Sequence, residues 1–275
     1  MSSFIDPQYS VAGFLVGALV GMTGVGGGSL MTPILIVLFG VSPATAVGTD
    51  LLFAAATKTV GSLVHGISGT IDWRIVRRLA AGSLPATLLA LALLSWLLKN
   101  ADGARHFITG ILAVALVATA AALVARNRIS ALYAHRLAAL DERTIAMLTV
   151  ATGAVLGIFV TLSSVGAGAI GVVALVLLYP RVPTARIVGT DIAHAVPLTL
   201  VAGLGHGIVG SIDVHTLASL LAGSLPGIFV GSLVSTRVPD VALRYVLAAV
   251  LLIVGAKLTL DMNVPPTVAV NQPAH

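Results

Sequence analysis

The sequence contains no cysteine, so its side chains can build no disulfide, iron–sulfur centre or persulfide relay. Charged residues are also scarce, at 9% of 275, where a soluble domain carries about a quarter. A water-soluble globule is excluded on that ground. Segments of about ten residues with strict apolar–polar alternation are missing, which argues against a membrane β-barrel. No GxGxxG spacing fits, no GK[ST] follows a glycine cluster, and no HExxH, His–x₃–His or carboxylate cluster has metal-ligand spacing. The chain therefore carries no nucleotide or metal signature and no nucleophile–base pair for an intramembrane enzyme. No cofactor and no enzymatic activity are expected.

What is present is apolar. Hydrophobic residues make up 57% of the chain, mean hydropathy is +1.06, and runs long enough to cross a bilayer recur at 79–98, 107–125 and 241–256. An all-α polytopic membrane protein is expected, in the cell (inner) membrane. The N-terminus, "MSSFIDPQYS", lacks the basic region and cleavage site of a secretory signal, so the first span is expected to be retained. Net charge is +5. Its arginines stand in short loops between apolar runs, where they orient spans, so nucleic acid is not expected as a partner.

An internal repeat organises the chain. "HGISGTID" (65–72) returns as "HGIVGSID" (206–213), "AGSLP" (81–85) at 222–226 and "VGTD" (47–50) at 188–191, all displaced by 141 residues. "VGGGSL" (25–30) matches "VGAGAI" (165–170) at a displacement of 140. Two homologous halves follow, 1–125 and 145–260, joined by a polar linker over 126–144 and ending in a flexible tail over 261–275. Each half reads as one Gly-broken element and three helices: 11–39, 44–64, 74–98 and 105–125, then 146–179, 185–205, 214–236 and 241–260.

Loop charge bears on how the halves are oriented. If the broken elements cross the bilayer, the cationic loop residues divide eight against six. If each broken element re-enters on one face, they divide eleven against three, the three being Lys99, Arg105 and Lys257. The positive-inside rule favours the second arrangement. It makes the halves inverted repeats, as in many secondary transporters, with the linker cytoplasmic. Continuous but unwound helices also fit the lengths.

The ordered motifs "GVGGGSLMTPIL", "ATAVGTDLL" and "HGISGTIDW", with their second-half counterparts, resemble the TauE/SafE family of sulfite-exporter-like membrane transporters over about 10–260. The resemblance implies a transporter of small anions, with sulfite and organosulfonates such as sulfoacetate as the first candidates. The second half departs from the first in carrying "GAGAI" for "GGGSL", so one half-site is expected to bind less well. The expected partners are a small anionic substrate and the lipid bilayer, with a homodimer allowed. An anion channel and a structural membrane subunit are the alternative functions.

The breaks themselves have a physical reading. Unwound backbone at membrane depth is tolerated where it is buried in protein or lines a wet cavity, and glycine lets a ligand approach the main chain. Free N–H groups of the helix that follows attract anions. Gly26, Gly27, Gly28 and Ser29 in the first half, and Gly166 and Gly168 in the second, are thus candidate substrate-binding residues, with Thr49 and Thr190 nearby. Close packing of small residues is the competing explanation.

Intramembrane charges are functional by default. Asp50 and Asp191 are candidates for coupling or gating, or for capping nearby helix starts. Lys58, two turns after Asp50, could be a cation for the substrate, a proton-responsive base or one partner of an ion pair. Its repeat equivalent is Thr199. His194, three residues after Asp191, could relay protons with it or be a bonded core histidine. His65, His206, Asp72 and Asp213 are expected to be turn and cap residues at the membrane surface.

Overall fold

The computed structural model describes residues 5–23, 28–99, 104–137, 140–209, 212–234 and 240–262. Ten helices follow one another, and no strand occurs among the described residues. The first half contains α1 (Pro7–Thr23), α2 (Gly28–Val37), α3 (Pro43–Ile67), α4 (Trp73–Lys99) and α5 (Ala104–Leu137). The second contains α6 (Glu142–Ser163), α7 (Ala169–Leu178), α8 (Thr184–Ile208), α9 (Val214–Val234) and α10 (Asp240–Met262). The sequence-derived elements match these within a few residues, and each broken element is a long helix followed by a ten-residue one. The polar stretch after Arg126 is not a separate element at its start: α5 runs on through it to Leu137. The tail beyond Met262 lies outside the described residues.

Helix starts follow local chemistry. Pro7 and Pro43 occupy first helical positions, where a missing N–H costs nothing. Asp72 accepts the N–H groups of Arg74 and Ile75 at the start of α4. Asp213 does the same for His215 and Thr216 at the start of α9. Asp141 caps α6 through Thr144, and those bonds hold its carboxyl below the usual carboxylate range. Pro33, Pro85, Pro197 and Pro226 stand inside helices, which membrane helices tolerate when neighbours satisfy the freed carbonyls.

Four helices are long and apolar enough to cross a membrane: Trp73–Leu97, Glu142–Ser163, Thr184–Ile208 and Val214–Gly231. Leu89, Phe229 and Ile253 are among many large apolar side chains left exposed, as expected of a surface facing lipid. Trp73 and Trp96 are exposed at opposite ends of α4. At 1.5 Å per residue they stand about 34 Å apart along the axis, close to the ~30 Å hydrocarbon thickness that aromatic belts bracket. The protein is an all-α membrane protein.

The two halves are interleaved. α1 packs on α9, α4 on α6, α3 on α8 and α5 on α10, so each of these contacts joins one half to the other. Two of them are the same contact made twice. Gly13 and Gly17 of α1 lie against the backbone of Leu220 and Ser224 on α9, while Gly153 and Gly157 of α6 lie against Leu79 and Ser83 on α4. These residues correspond through the repeat. A Cβ on Gly82 would collide with the Val150 carbonyl, and one on Gly223 with that of Ser10. Close backbone approach of this kind stands in for the hydrophobic drive that lipid removes. α3 and α8 run antiparallel: Leu52 lies opposite Gly203, Gly61 opposite Ile192 and His65 opposite Gly189.

Candidate functional site

The breaks and the duplicated "VGTD" meet between α3 and α8. Asp50 and Asp191 are each the eighth residue of their helix, about 12 Å along the axis from its start. A cap must lie at the start of its helix, so capping of α3 and α8 by these carboxylates is overturned. Both are almost wholly buried. Asp50 turns instead to α2, where its Oδ2 accepts the Thr32 N–H at 3.1 Å and the Thr32 hydroxyl at 2.6 Å. An internal carboxylate thus takes an N–H near the start of α2, where a bound anion was expected. Oδ1 of Asp50 has no hydrogen-bond partner.

Asp191 is placed in the same way against α7 and bonded differently. Its carboxylate lies so close to Gly171 that a Cβ there would overlap Oδ1. Yet neither of its oxygens has a hydrogen-bond partner. Two local causes are visible. The residue at the repeat position of Thr32 is Val172, which has no hydroxyl, and the Gly171 N–H points to the Gly166 carbonyl at 3.4 Å.

Lys58 lies deep in α3 and is 5% exposed. Its Nζ donates to the carbonyl of Ala167 at 3.4 Å, inside the second glycine break. It interacts electrostatically with Asp191 and Asp50, but the ion pairs found among the described residues are Arg74–Glu142, Arg78–Glu142 and Arg186–Asp72. Among the described residues no carboxylate thus lies within 4 Å of the Lys58 ammonium. The break around Ala167 is set by local conformation. Ser164 takes a left-handed conformation (φ 57°) after the last turn of α6. Gly166 and Gly168 follow at φ 109° and 111°, a region that L side chains rarely adopt. Ser164 faces Asp50 across the break.

His194 does not bond Asp191. Its Nε2 pairs with the Ser83 hydroxyl at 2.8 Å, and its Nδ1 has no partner. The Thr49 hydroxyl accepts the Asp213 N–H at 3.1 Å, and the Thr190 hydroxyl accepts the Asp72 N–H at 2.9 Å. Each brace ties the "VGTD" of one half to the "HGxxGxID" turn of the other. Asp72 and Asp213 are caps as expected, whereas His206 is buried at 1% exposed and bonded through Nε2 to the Thr161 carbonyl at 2.9 Å. His65 is only partly buried, against Thr70.

Gly26 and Gly27 lie outside the described residues. Gly28 and Ser29 open α2. The structure thus gathers Asp50, Lys58, Asp191 and His194 around the second break, with Gly166 and Gly168 in the break itself. Thr32, Ser83 and Ser164 complete this set and were not singled out from the sequence. Ser83 carried a signal, since "AGSLP" repeats intact, and Thr32 stands in the quoted "SLMTP". No group of three or more His, Asp or Glu side chains that could hold a metal occurs among the described residues.

Comparison with known proteins agrees with the architecture. The family described as sulfite exporter TauE/SafE matches residues 9–258. The probable membrane transporter protein YjnA of Bacillus subtilis (strain 168) is 38% identical over 247 residues, covering 90% of this chain and 96% of the relative. YdhB of the same organism, also a probable membrane transporter protein, is 24% identical and covers 84% of this chain and 91% of the relative. A probable membrane transporter protein of Xylella fastidiosa (strain 9a5c) is 28% identical over 82% of this chain and 83% of the relative. No solved structure matches the chain significantly.

Proposed function

The chain belongs to the sulfite exporter TauE/SafE family and is a membrane transporter; from that premise we propose that it exports a small anion, sulfite or an organosulfonate such as sulfoacetate, across the inner membrane with coupled proton movement. The observation that carries this reading is the Lys58 ammonium on the Ala167 carbonyl, between Gly166 and Gly168. A buried cation, glycines that admit close approach and the N-terminus of α7 together suit an oxyanion. Because Asp50 already accepts a backbone N–H of α2 while Asp191 accepts none from α7, the second break is the better anion site. This reverses the order of the half-sites expected from "GAGAI".

The broken elements re-enter and the halves are inverted in this reading, giving a multi-pass protein. From Glu142 to Leu178 a continuous helix would extend roughly 55 Å, nearly twice the bilayer core, so folding back accommodates it. The antiparallel course of the equivalent helices α3 and α8 supports the inversion. It also sets Lys58, eight residues beyond Asp50, between the levels of Asp50 and Asp191. Inverted halves around a central site suit alternating access better than an open channel.

The test is flux of sulfite and of sulfoacetate in reconstituted vesicles, for the wild type and for Lys58→Met. Saturable uptake lost in the variant is expected. Flux of neither anion, or equal flux in both proteins, would reject the reading.

A further inference from the structure

The repeat makes Asp50 and Asp191 equivalent in sequence, and their surroundings make them unlike. Asp50 holds two donors from Thr32, which favour its ionised form. Asp191 is 1% exposed, has no donor on either oxygen and stands against the first turn of α7. A carboxylate cannot remain charged in such a place without compensation. The groups that face it can be enumerated by element. α3 supplies Lys58, with Asp50 beyond it, and His65, which lies against Gly189 and pairs with Thr70; α7 has no titratable residue. On α4 and α6 the titratable side chains are confined to the ends, at Arg74, Arg77, Arg78 and Lys99, and at Glu142 and Arg143. α8 itself adds His194, held by Ser83, and Arg186, paired with Asp72 at 3.7 Å. Lys58 is therefore the compensating charge that Asp191 has.

The same cation is the one that the anion needs. This inference rests on the anion reading of the second break: we propose that Asp191 is the proton-coupling carboxylate, taking up one proton each time an anion binds at Lys58 and the α6–α7 break. When the anion engages Lys58, an ionised Asp191 loses its compensation and meets a like charge at the start of α7. Protonation removes both penalties. The step balances simply: hydronium from bulk water gives its proton to the Asp191 carboxylate, and the proton returns to water when the anion leaves. An alkali cation fits worse, because it would need several oxygen ligands beside an ammonium, and Asp191 brings two.

The tracer is sulfoacetate, whose two acid groups stay ionised over about pH 6–8.5, so any proton that moves belongs to the protein. Wild-type protein should take up one proton per sulfoacetate bound, read with a pH dye in weak buffer, and in vesicles an imposed pH gradient should drive accumulation. Asp191→Asn should bind without proton uptake and lose gradient-driven accumulation while exchange persists. Val172→Thr offers Asp191 the hydroxyl that Asp50 has, and should move the midpoint of pH-dependent binding to lower pH. It gives a second reading should the Asn variant fold poorly. Proton uptake that survives in Asp191→Asn, or a midpoint unmoved in Val172→Thr, overturns the assignment. Sulfoacetate binding with no proton uptake in the wild type sinks the coupling and leaves the anion site standing. Binding of neither sulfoacetate nor sulfite removes the site and the coupling together.

Discussion

Replacing Lys58 with methionine keeps the length and apolar bulk of the side chain and removes only its charge. With Nζ 3.4 Å from the Ala167 carbonyl, an anion seated in the α6–α7 turn would lie about 5 Å from the ammonium. At an effective dielectric of about 20, a unit pair at that distance contributes roughly 3 kcal/mol. Affinity should then fall roughly a hundredfold, and Lys58→Arg should retain part of it. A purely structural lysine makes a different demand. Its loss would strand a buried carboxylate, at a cost of about 3–5 kcal/mol in stability. The geometry argues for a smaller cost, because neither carboxylate is within 4 Å of Lys58, Asp50 keeps both Thr32 donors and Asp191 can take up a proton. Calorimetric binding of sulfoacetate and thermal unfolding on the same detergent-purified variants separate the two demands. A methionine variant that melts early yet binds with wild-type affinity would refute the substrate role.

Other consequences are simpler to check. Gly166→Ala forces an L residue to φ 109°, a strain of about 1–3 kcal/mol within the break, and vesicle flux should be lost. Gly40→Ala meets only the milder cost of the left-handed region (φ 66°) in open space and should leave flux intact. Gly223→Ala places a methyl group on the Ser10 carbonyl, and should lower stability by about 1–3 kcal/mol through forced separation of α1 and α9, read as a drop in melting temperature. Tags at residues 2 and 275 should be accessible from outside the cell and one at 135 from the cytoplasm; a cytoplasmic C-terminus would contradict re-entrant breaks.

The parts of this structure legible in sequence are those written in local chemistry. Clustered glycines and turn-forming stretches leave a local mark, so the break near Gly166 and the starts at Pro43 and Trp73 could be located within a few residues. Duplicated blocks displaced by 140 or 141 residues announced two halves. Tertiary pairing was not legible. Asp50 and Asp191 looked close enough to helix starts to cap them, but a cap serves the first turn only, and each lies two turns in. What Asp50 bonds depends on Thr32, and the lack of that bond at Asp191 depends on Val172, a difference that lies outside the duplicated blocks. His206 shares its motif with His65, yet it is buried because α6 lies over it and offers the Thr161 carbonyl. No local signal distinguishes the two.

The interleaving limits how the site can open. Cβ-free contacts hold α1 to α9 and α6 to α4 at backbone distance, and separating either pair would forfeit that packing along several turns without any hydrophobic return from lipid. Each pair is built from both halves, so the halves cannot rock as bodies against one another. The bodies that can move are the pairs, with α3 and α8 between them. Those two helices are joined to the turns before α4 and α9 by the Thr190–Asp72 and Thr49–Asp213 bonds, one at each end of the antiparallel pair. Two single hydrogen bonds, each worth about 1 kcal/mol net, are far weaker than the glycine seams. A transport cycle that alternates the exposure of Lys58 and Asp191 would therefore break these braces before the seams.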